Sequence, residues 1–412
     1  MNTLPFSELV EINPRVKIEK AKEYPFVEMG VVEPSRRYVR ADHNRIFQNG
    51  GAKFLPGDTL FARITPCLEN GKIAQYQDVG GEAGFGSTEF FVFRARPGVS
   101  DPGFVYYLAK SELIRKPAEK SMSGASGRQR ADLKSIVDLE VPSPPLPTQQ
   151  KIAAILSAYD DLIENNLRRI KILEEMAQNL YREWFIKFRF PGHQHARFVD
   201  SSLGPIPEGW EVVPFTEIAD VLSGGTPKTT VQEYWGGSIP FFAPKDAPEL
   251  FYVTNTEKAI TEIGLKKCNS KLYPKDTVFI TARGTVGKVV MPSMDMAMNQ
   301  SCYALRGKQG ISQLYLFLAT RERVDYLKKN TGGATFDTIV VDTFRRMLVA
   351  KPGNDVIAQF SKRIQPGMEL IPNILKINTT LRRTRDLLLP KLISGEVDVS
   401  ELDIAVPEEA LT

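Results

Sequence analysis

Cysteine is scarce in this chain of 412 residues: Cys67, Cys268 and Cys302 lie far apart and form no CxxC pair. That spacing excludes a disulfide framework or a cysteine-rich zinc site and points to a reducing compartment. Histidine is equally sparse. His193 and His195 are the only close pair, in a stretch bounded by proline and glycine with no cysteine or carboxylate set beside them. They read as a solvated linker pair, so no metal site is expected. Long apolar runs are missing too. Nothing approaches the roughly 20 residues needed to span a bilayer, and Met1–Glu8 lacks the basic and apolar regions of a signal peptide. A cytoplasmic protein is expected.

Catalytic signatures are also absent. There is no Gly-x-x-x-x-Gly-Lys-Ser/Thr phosphate loop, and Gly84-Phe85-Gly86 is a lone glycine pair without a nucleotide-site context. The single Pro-Pro, in Ser143-Pro144-Pro145-Leu146, has the wrong flanks for the Asn/Asp-Pro-Pro-aromatic loop of an adenine methyltransferase. No Asp followed by Glu-x-Lys reads as a nuclease site. The expectation is a non-enzyme without a cofactor.

What the chain does have is a repeat. Leu55-Pro56-Gly57-Asp58-Thr59-Leu60-Phe61 returns as Tyr273-Pro274-Lys275-Asp276-Thr277-Val278-Phe279. Gly71-Lys72-Ile73 returns as Gly287-Lys288-Val289, Gly124-Ala125-Ser126 as Gly333-Ala334-Thr335, and Leu162-Ile163 as Leu370-Ile371. The spacing between copies shrinks steadily along the chain, as a duplication with loop deletions in its second copy would give. The period is far beyond the roughly 20–50 residues of solenoids and propellers, so it denotes two whole domains of one fold. Shared residues such as Asp58 and Asp276 then serve the fold, in a Pro-x-Asp turn before a strand.

The fold class expected is α+β: two similar mixed α/β domains separated by a pair of long antiparallel, coiled-coil helices, in a pseudo-two-fold repeat. Residues 1–147 form the first domain. Thr59–Arg63 and Phe90–Phe93 read as strands, the glycine-rich Gly80–Gly86 as a loop, and Phe104–Ile114 as a helix. A long helix follows over about 148–190, with Thr148 as N-cap. Ile155, Leu162, Ile170, Leu173, Leu180 and Trp184 lie on its apolar stripe with Met176, and Asp160 and Glu174 are on the opposite, solvated face. A linker spans 191–212. The second domain covers 213–352, with turns at Ser223–Lys228 and Trp235–Gly237, a strand at Thr277–Ala282 and a helix at Leu314–Leu327. A second long helix occupies 353–395, striped by Ile374, Leu381 and Leu388, and Pro366-Gly367 and Pro372 should interrupt or kink it. At about 1.5 Å per residue the first long helix reaches about 60 Å. Either the two stripes pair, or each helix packs only on its own domain. Residues 396–412 form an acidic tail read as solvated.

Several strings are similar to the specificity subunit of type I restriction–modification enzymes. They are Leu203-Gly204-Pro205-Ile206-Pro207-Glu208-Gly209-Trp210, Ser223-Gly224-Gly225-Thr226-Pro227, Leu180-Tyr181-Arg182-Glu183-Trp184-Phe185, Leu388-Leu389-Pro390-Lys391-Leu392-Ile393-Ser394-Gly395-Glu396, and Pro144-Pro145-Leu146-Pro147-Thr148-Gln149-Gln150. Their order inside the two-fold repeat covers almost the whole chain. The resemblance implies two target recognition domains, each reading half of a split double-stranded DNA site. It implies a helix pair that fixes the gap and docks methyltransferase subunits, two of them, and restriction–translocase subunits that join that core.

Independently, a DNA reader needs cations for phosphates and amides, hydroxyls or arginines for base edges. In the first domain Arg36, Arg37, Arg40, Asn44 and Arg45 have this character, as do Ser126, Arg128 and Arg130. In the second domain the candidates are Thr226, Lys228, Thr229, Lys245, Arg283 and Thr335. Residues 214–352 hold 18 basic against 13 acidic residues and 1–147 hold 20 against 18, which favours a polyanion partner only mildly. A protein-only helical scaffold, an orphan DNA-binding protein and an enzyme with an unrecognised site are the alternatives at this stage.

Overall fold

The computed structural model describes residues 2–78, 80–125, 127–329 and 338–406. The chain divides into two compact units, Met1–Asn165 with Asn378–Thr412, and Asn166–Ile377. Each unit contains one mixed α/β head and half of each long helix.

The head of the first unit is built on a five-stranded sheet in the order Val10–Ile12, Phe90–Ala95, Thr59–Ala62, Ile73–Tyr76, Tyr38–Val39. All neighbours are antiparallel except the last pair. Thr59–Ala62 is buried at every residue, which explains its continuous apolar character. A second sheet runs His43–Ile46, Glu23–Val27, Gly84–Gly86, Ala52–Phe54. The expected glycine-rich loop is therefore partly a strand. Its glycines are there for close packing: a Cβ on Gly84 would stand 2.5 Å from the Phe54 ring, and one on Gly86 2.4 Å from the Val27 carbonyl oxygen. The expected helix over 104–114 is two helices, Pro102–Lys110 and Glu112–Lys120, broken at extended Ser111. Asp101 caps the first by accepting from the Phe104 N–H at 2.8 Å.

The head of the second unit repeats this plan. Its five-stranded sheet runs Ala219–Ser223, Cys302–Gly307, Val278–Thr281, Val289–Pro292, Tyr252–Val253, again with only the last pair parallel. Its second sheet has three strands among the described residues: Lys258–Ile260, Trp235–Phe242 and Ala297–Met298. The turn expected at Trp235–Gly237 is the start of that central strand, bulged between Trp235 and Ile239. A Cβ on Gly237 would meet the Ile260 carbonyl oxygen at 2.4 Å. The helical run over 314–327 is split into Gln313–Glu322 and Val324–Lys329.

The repeated Asp-Thr turns serve the fold, by different means. Asp58 is buried, accepts from Leu55 N–H at 2.7 Å, and takes a two-pronged ion pair from Arg94 at 2.7 and 2.6 Å. Asp276 instead occupies the left-handed region at φ 65°, which aspartate tolerates better than most side chains.

The first long helix runs Leu146–Tyr181 and closes in a π-turn at Arg182–Ile186. It begins two residues before the expected N-cap, so Thr148 lies inside its first turn, where Pro147 needs no amide partner. The second runs unbroken from Asn354 to Ser394, correcting the expected interruption at Pro366-Gly367 and Pro372. An internal proline costs about 3 kcal/mol. Pro366 is exposed and Pro372 half-buried, and each leaves the carbonyl four residues before it without its helical donor. Ile364, Met368, Ile371, Ile374 and Leu375 are buried over the same stretch, each stabilising by about 1.5–3 kcal/mol, and this outweighs the loss. Gly367 allows close approach instead, with Leu173 Cδ2 only 3.2 Å from where its Cβ would stand.

Within each unit the helix halves run antiparallel. In the first, Asp160 meets Arg385, and Asn378 donates to the Ile163 carbonyl at 3.5 Å. In the second, Leu173 approaches Gly367, and Tyr181 packs edge-on against Phe360 at 6.1 Å. The part of the second helix that follows Ile377 thus completes the first unit, so neither helix packs only on the domain preceding it. Ile152, Leu156, Leu389, Leu392 and Ile393 share one core with Phe6, Phe93 and Phe104. Ile170, Ala177, Tyr181 and Trp184 share another with Ile357, Phe360 and Ile371.

Two expectations about these faces are reversed. Asp160 and Glu174 are buried, while Leu162 and Met176 are 52% and 63% exposed. The carboxylates are inside because each has a partner: Tyr107 Oη donates to Asp160 at 2.6 Å beside Arg385, and the buried Phe251 N–H donates to Glu174 at 2.7 Å. The acidic tail is not simply solvated either. Val399 is buried in the core of the first unit, and Lys151 Nζ donates to the Ser400 carbonyl at 2.6 Å.

Burial pushes the Glu174 carboxyl up to about 7 against the lowering effects of the Phe251 N–H and Arg321. The native state therefore holds a proton that the unfolded state releases between about pH 4.5 and pH 7, so this group lowers stability as pH rises through that window. Glu174→Gln should remove the slope: urea titrations at pH 5 and pH 7.5 should show the wild type losing on the order of 3 kcal/mol more than the variant. Equal losses would refute the assignment.

Candidate nucleic-acid interface

The edge strand of each five-stranded sheet is followed by an irregular segment that carries polar and basic side chains. In the second unit, Ala219–Ser223 leads into Gly224–Lys228, where Thr226 and Lys228 are exposed and Thr229 follows. Thr226 Oγ1 hydrogen-bonds Gln300 Oε1, and the Lys228 carbonyl accepts from the Trp235 indole at 3.2 Å. The segment is held close to the strands: a Cβ on Gly224 would stand 2.0 Å from the Asn299 carbonyl oxygen. In the first unit, Val10–Ile12 leads into Asn13-Pro14-Arg15-Val16-Lys17, with Arg15 and Lys17 exposed. Asn13, at φ 50°, anchors the segment, its Oδ1 accepting from Val92 N–H at 3.0 Å. Arg15 and Lys17 were not among the sequence candidates. They lie in the segment that follows the corresponding edge strand, as Thr226 and Lys228 do in the second unit.

Arg63 follows the central strand of the first head, and Arg283 lies one position beyond its counterpart, Ala282, in the second: the Arg63 and Ala282 N–H groups donate to Glu89 and Ser301, and their carbonyls accept from Ala131 and Ile339. Arg283 is exposed with no ion pair among the described residues. Arg63 lies over the Phe91 ring at 5.3 Å and donates to Glu89 at 3.3 Å. In the first unit, Arg15, Lys17, Lys53 and Arg63 line one cleft of about 770 Å3 with no acidic residue in its described wall. Lys53 sits over the Phe47 ring at 4.9 Å. A cleft walled by cations and apolar rings suits a phosphate backbone.

The remaining sequence candidates divide by their partners. Asn44 and Arg45 lie on His43–Ile46, exposed at every residue on the edge of the four-stranded sheet, with Arg45 over the Phe26 ring at 4.8 Å. They are on a strand, not in a loop. Arg128 is exposed. Arg40 is exposed but donates twice to Gln77 Oε1, at 3.0 and 2.6 Å. Arg36 pairs with Glu33 at 3.1 Å, and Lys245 with Glu257. Arg130 donates to both Glu89 oxygens, and this bond, with help from Arg63, holds the Glu89 carboxyl below the usual range. Arg37 is turned inward. It donates to Gln75 Oε1 at 3.1 and 2.9 Å and lies over Tyr38, Tyr106 and Tyr107. These contacts make it a packing residue of the head. Ser126 and Thr335 lie outside the described residues.

Among the described residues no group of three or more His, Cys, Asp or Glu is placed to hold a metal, and no helix is long and apolar enough to cross a membrane.

The profile of the type I restriction modification DNA specificity domain matches residues 9–175 and again 207–355. The chain belongs to this family. It is 28% identical over 303 residues to the MjaIX specificity subunit of Methanocaldococcus jannaschii, covering 73% of this chain and 70% of the relative. It is 25% identical over 403 residues to the HindI specificity subunit of Haemophilus influenzae, covering 83% and 86%. A crystal structure of a type I S subunit from M. genitalium shares the fold, with a TM-score of 0.54 at 15% identity over 95% of this chain and 96% of that one.

Replacing Arg37 separates packing from recognition. Arg37→Met should cost about 2 kcal/mol by urea unfolding, since it leaves Gln75 Oε1 without its donor and strips Tyr38 and Tyr107 of their cation. It should leave the salt dependence of duplex binding unchanged. A flattened salt slope with normal stability would return Arg37 to the interface.

Proposed function

We propose that this chain is the DNA-recognition subunit of a type I restriction–modification enzyme, each head reading one half of a bipartite double-stranded site. The observation that carries the reading is that, in two heads with one topology, the segments after the edge strand and after the central strand carry polar and basic residues. These are Arg15, Lys17 and Arg63 in the first head and Thr226, Lys228, Thr229 and Arg283 in the second. Corresponding segments with non-identical side chains are what two related modules reading different sequences require. Asn44, Arg45 and Arg128 are the further candidates of the first head.

The division of labour follows: residues 1–147 and 213–352 are the recognition domains, 191–212 the linker, and 148–190 and 353–395 the spacer helices that set the gap. Residues 396–412 are the tail, of which the part up to residue 404 packs on the first unit. The exposed apolar positions of the helices, Leu162 with Leu387 in the first unit and Met176 with Leu370 and Ile377 in the second, are the surface for methyltransferase subunits, with restriction–translocase subunits joining that core in the cytoplasm. The chain itself supplies recognition, and the chemistry belongs to its partners.

The test is expression with the methyltransferase subunit of the same genome in a methylation-free host, followed by single-molecule sequencing of modified bases. A split motif with a fixed gap, modified in each half, is the expected result. An intact complex that leaves the DNA unmodified would sink the reading. For the individual contacts, Lys228→Ala and Arg283→Ala should each reduce the slope of log affinity against log salt by about 1, as loss of one phosphate contact does. Unchanged slopes would remove them from the interface.

A further inference from the structure

The repeat is symmetric in fold but not in its buried charges. The spacing that carries Leu162 onto Leu370 also carries Asp160 onto Met368 and Ala177 onto Arg385. Burial supports this alignment: Ile163, Ile170, Ala177, Tyr181 and Trp184 are buried, and so are their counterparts Ile371, Asn378, Arg385, Leu389 and Leu392. In the first unit, Asp160 and Arg385 form an ion pair, each about 4% exposed. Tyr107 fills the other carboxylate oxygen, and Asp386 accepts from Arg385 at 3.0 and 2.8 Å. In the second unit the corresponding positions are Met368 and Ala177, both in its apolar core. The charged pair is therefore present at one of two equivalent places in the helix seam. A second asymmetry runs the same way. Glu174, which accepts from the buried Phe251 N–H, aligns with Arg382.

A duplicated molecule has an alternative way to satisfy its helices. The first long helix can pair with the same helix of another copy, and the second likewise, because each half carries the same fold. In the first such pairing, Asp160 would face Ala177 of the other copy and be buried with no cation. In the second, Arg385 of one copy would face Met368 of the other and keep only Asp386, its more than half-exposed neighbour on the same helix, in place of the buried Asp160. Burying one such charge alone disfavours an arrangement by at least about a hundredfold. Replacing both members by apolar residues is often neutral or stabilising, so stability alone does not explain why a pair stands where the other unit has Met and Ala. Single buried polar groups are used elsewhere to fix the register and partner of paired helices.

We infer that the Asp160–Arg385 pair is a partner code: it makes the two helices of one chain complementary to each other and excludes self-pairing of either helix with a second copy of this chain. The inference is independent of what the heads read.

The test uses two full-length chains carrying different affinity tags, co-expressed and purified on one tag. Wild-type chains should not copurify beyond background. Asp160→Met combined with Arg385→Ala gives the first unit the seam chemistry of the second, and these chains should copurify and show a dimer by light scattering. A folded double variant that stays monomeric, with no more copurification than wild type, would overturn the inference and leave the pair a local feature. Because the double variant enlarges one side chain and shrinks another, Asp160→Asn with Arg385→Gln serves as a second neutral pair of near-native shape, with the same expected copurification. If neither neutral pair folds, the inference also fails, since it requires that an uncharged seam be compatible with the fold. Asp160→Met alone should fold poorly or lose most soluble yield. Soluble yield equal to wild type would count against the code, because it would mean that an Arg385 left with Asp386 alone costs nothing.

Discussion

The architecture depends on one constraint: neither head can close its core without helix from a distant part of the sequence. In the first unit, Phe6, Phe93 and Phe104 reach dryness only with Ile152 and Leu156 on one helix and Leu389, Leu392 and Ile393 on the other. In the second, Trp184, Phe185 and Tyr181 interlock with Tyr315 and Phe360. Aromatic pairs of this kind add to the area they bury. The helices are therefore structural members of the heads as well as connectors between them, and their apolar seam is where most of the cohesion of each unit resides.

The most deeply buried polar groups of that seam have partners. Asp160, Arg385, Glu174 and Asn378 are buried in a surface otherwise made of Ile, Leu, Met and aromatic residues. Gln149, with no exposed surface, does comparable work at the start of the first helix, accepting from Asp101 N–H and donating to the Val99 and Pro144 carbonyls. One amide side chain thus ties a helix cap of the head to the first turn of the long helix. Outside the seam, polarity is looser and serves the surface, as the exposed His43–Ile46 strand and the Gly224–Lys228 segment illustrate.

Much of this was legible in the sequence. The two-fold repeat, the strands at Thr59 and Phe90, and the two long helices follow from local pattern, because short-range spacing determines them. What escaped was set by partners far away in the chain. Nothing near Asp160 reveals Arg385, so a charge in a stripe reads as solvated. Leu162 and Met176 read as seam because three- and four-residue steps tolerate small rotations of the helix. Arg37 looked like one more loop arginine because its tyrosines at 106 and 107 are remote. The prolines of the second helix argued for a break that tertiary packing overrides. In the candidate interface, Thr226 and Lys228 were found through their glycines. Arg15 and Lys17 sit in a segment without that signal and emerge only when the two sheets are superimposed strand by strand.

The sharing of helices between units also sets an order of assembly. As the polypeptide is synthesised, residues 166–377 contain everything the second unit needs, and its contacts can be completed once Leu375 has emerged. The first unit has its sheets by residue 142 but must wait for Leu389, Leu392, Ile393 and Val399 before its core is covered. Domains of a nascent chain ordinarily mature from the N-terminal end. Here the unit made first is finished last, and until then it exposes the face of Ile152 and Leu156 that the last stretch of helix will cover.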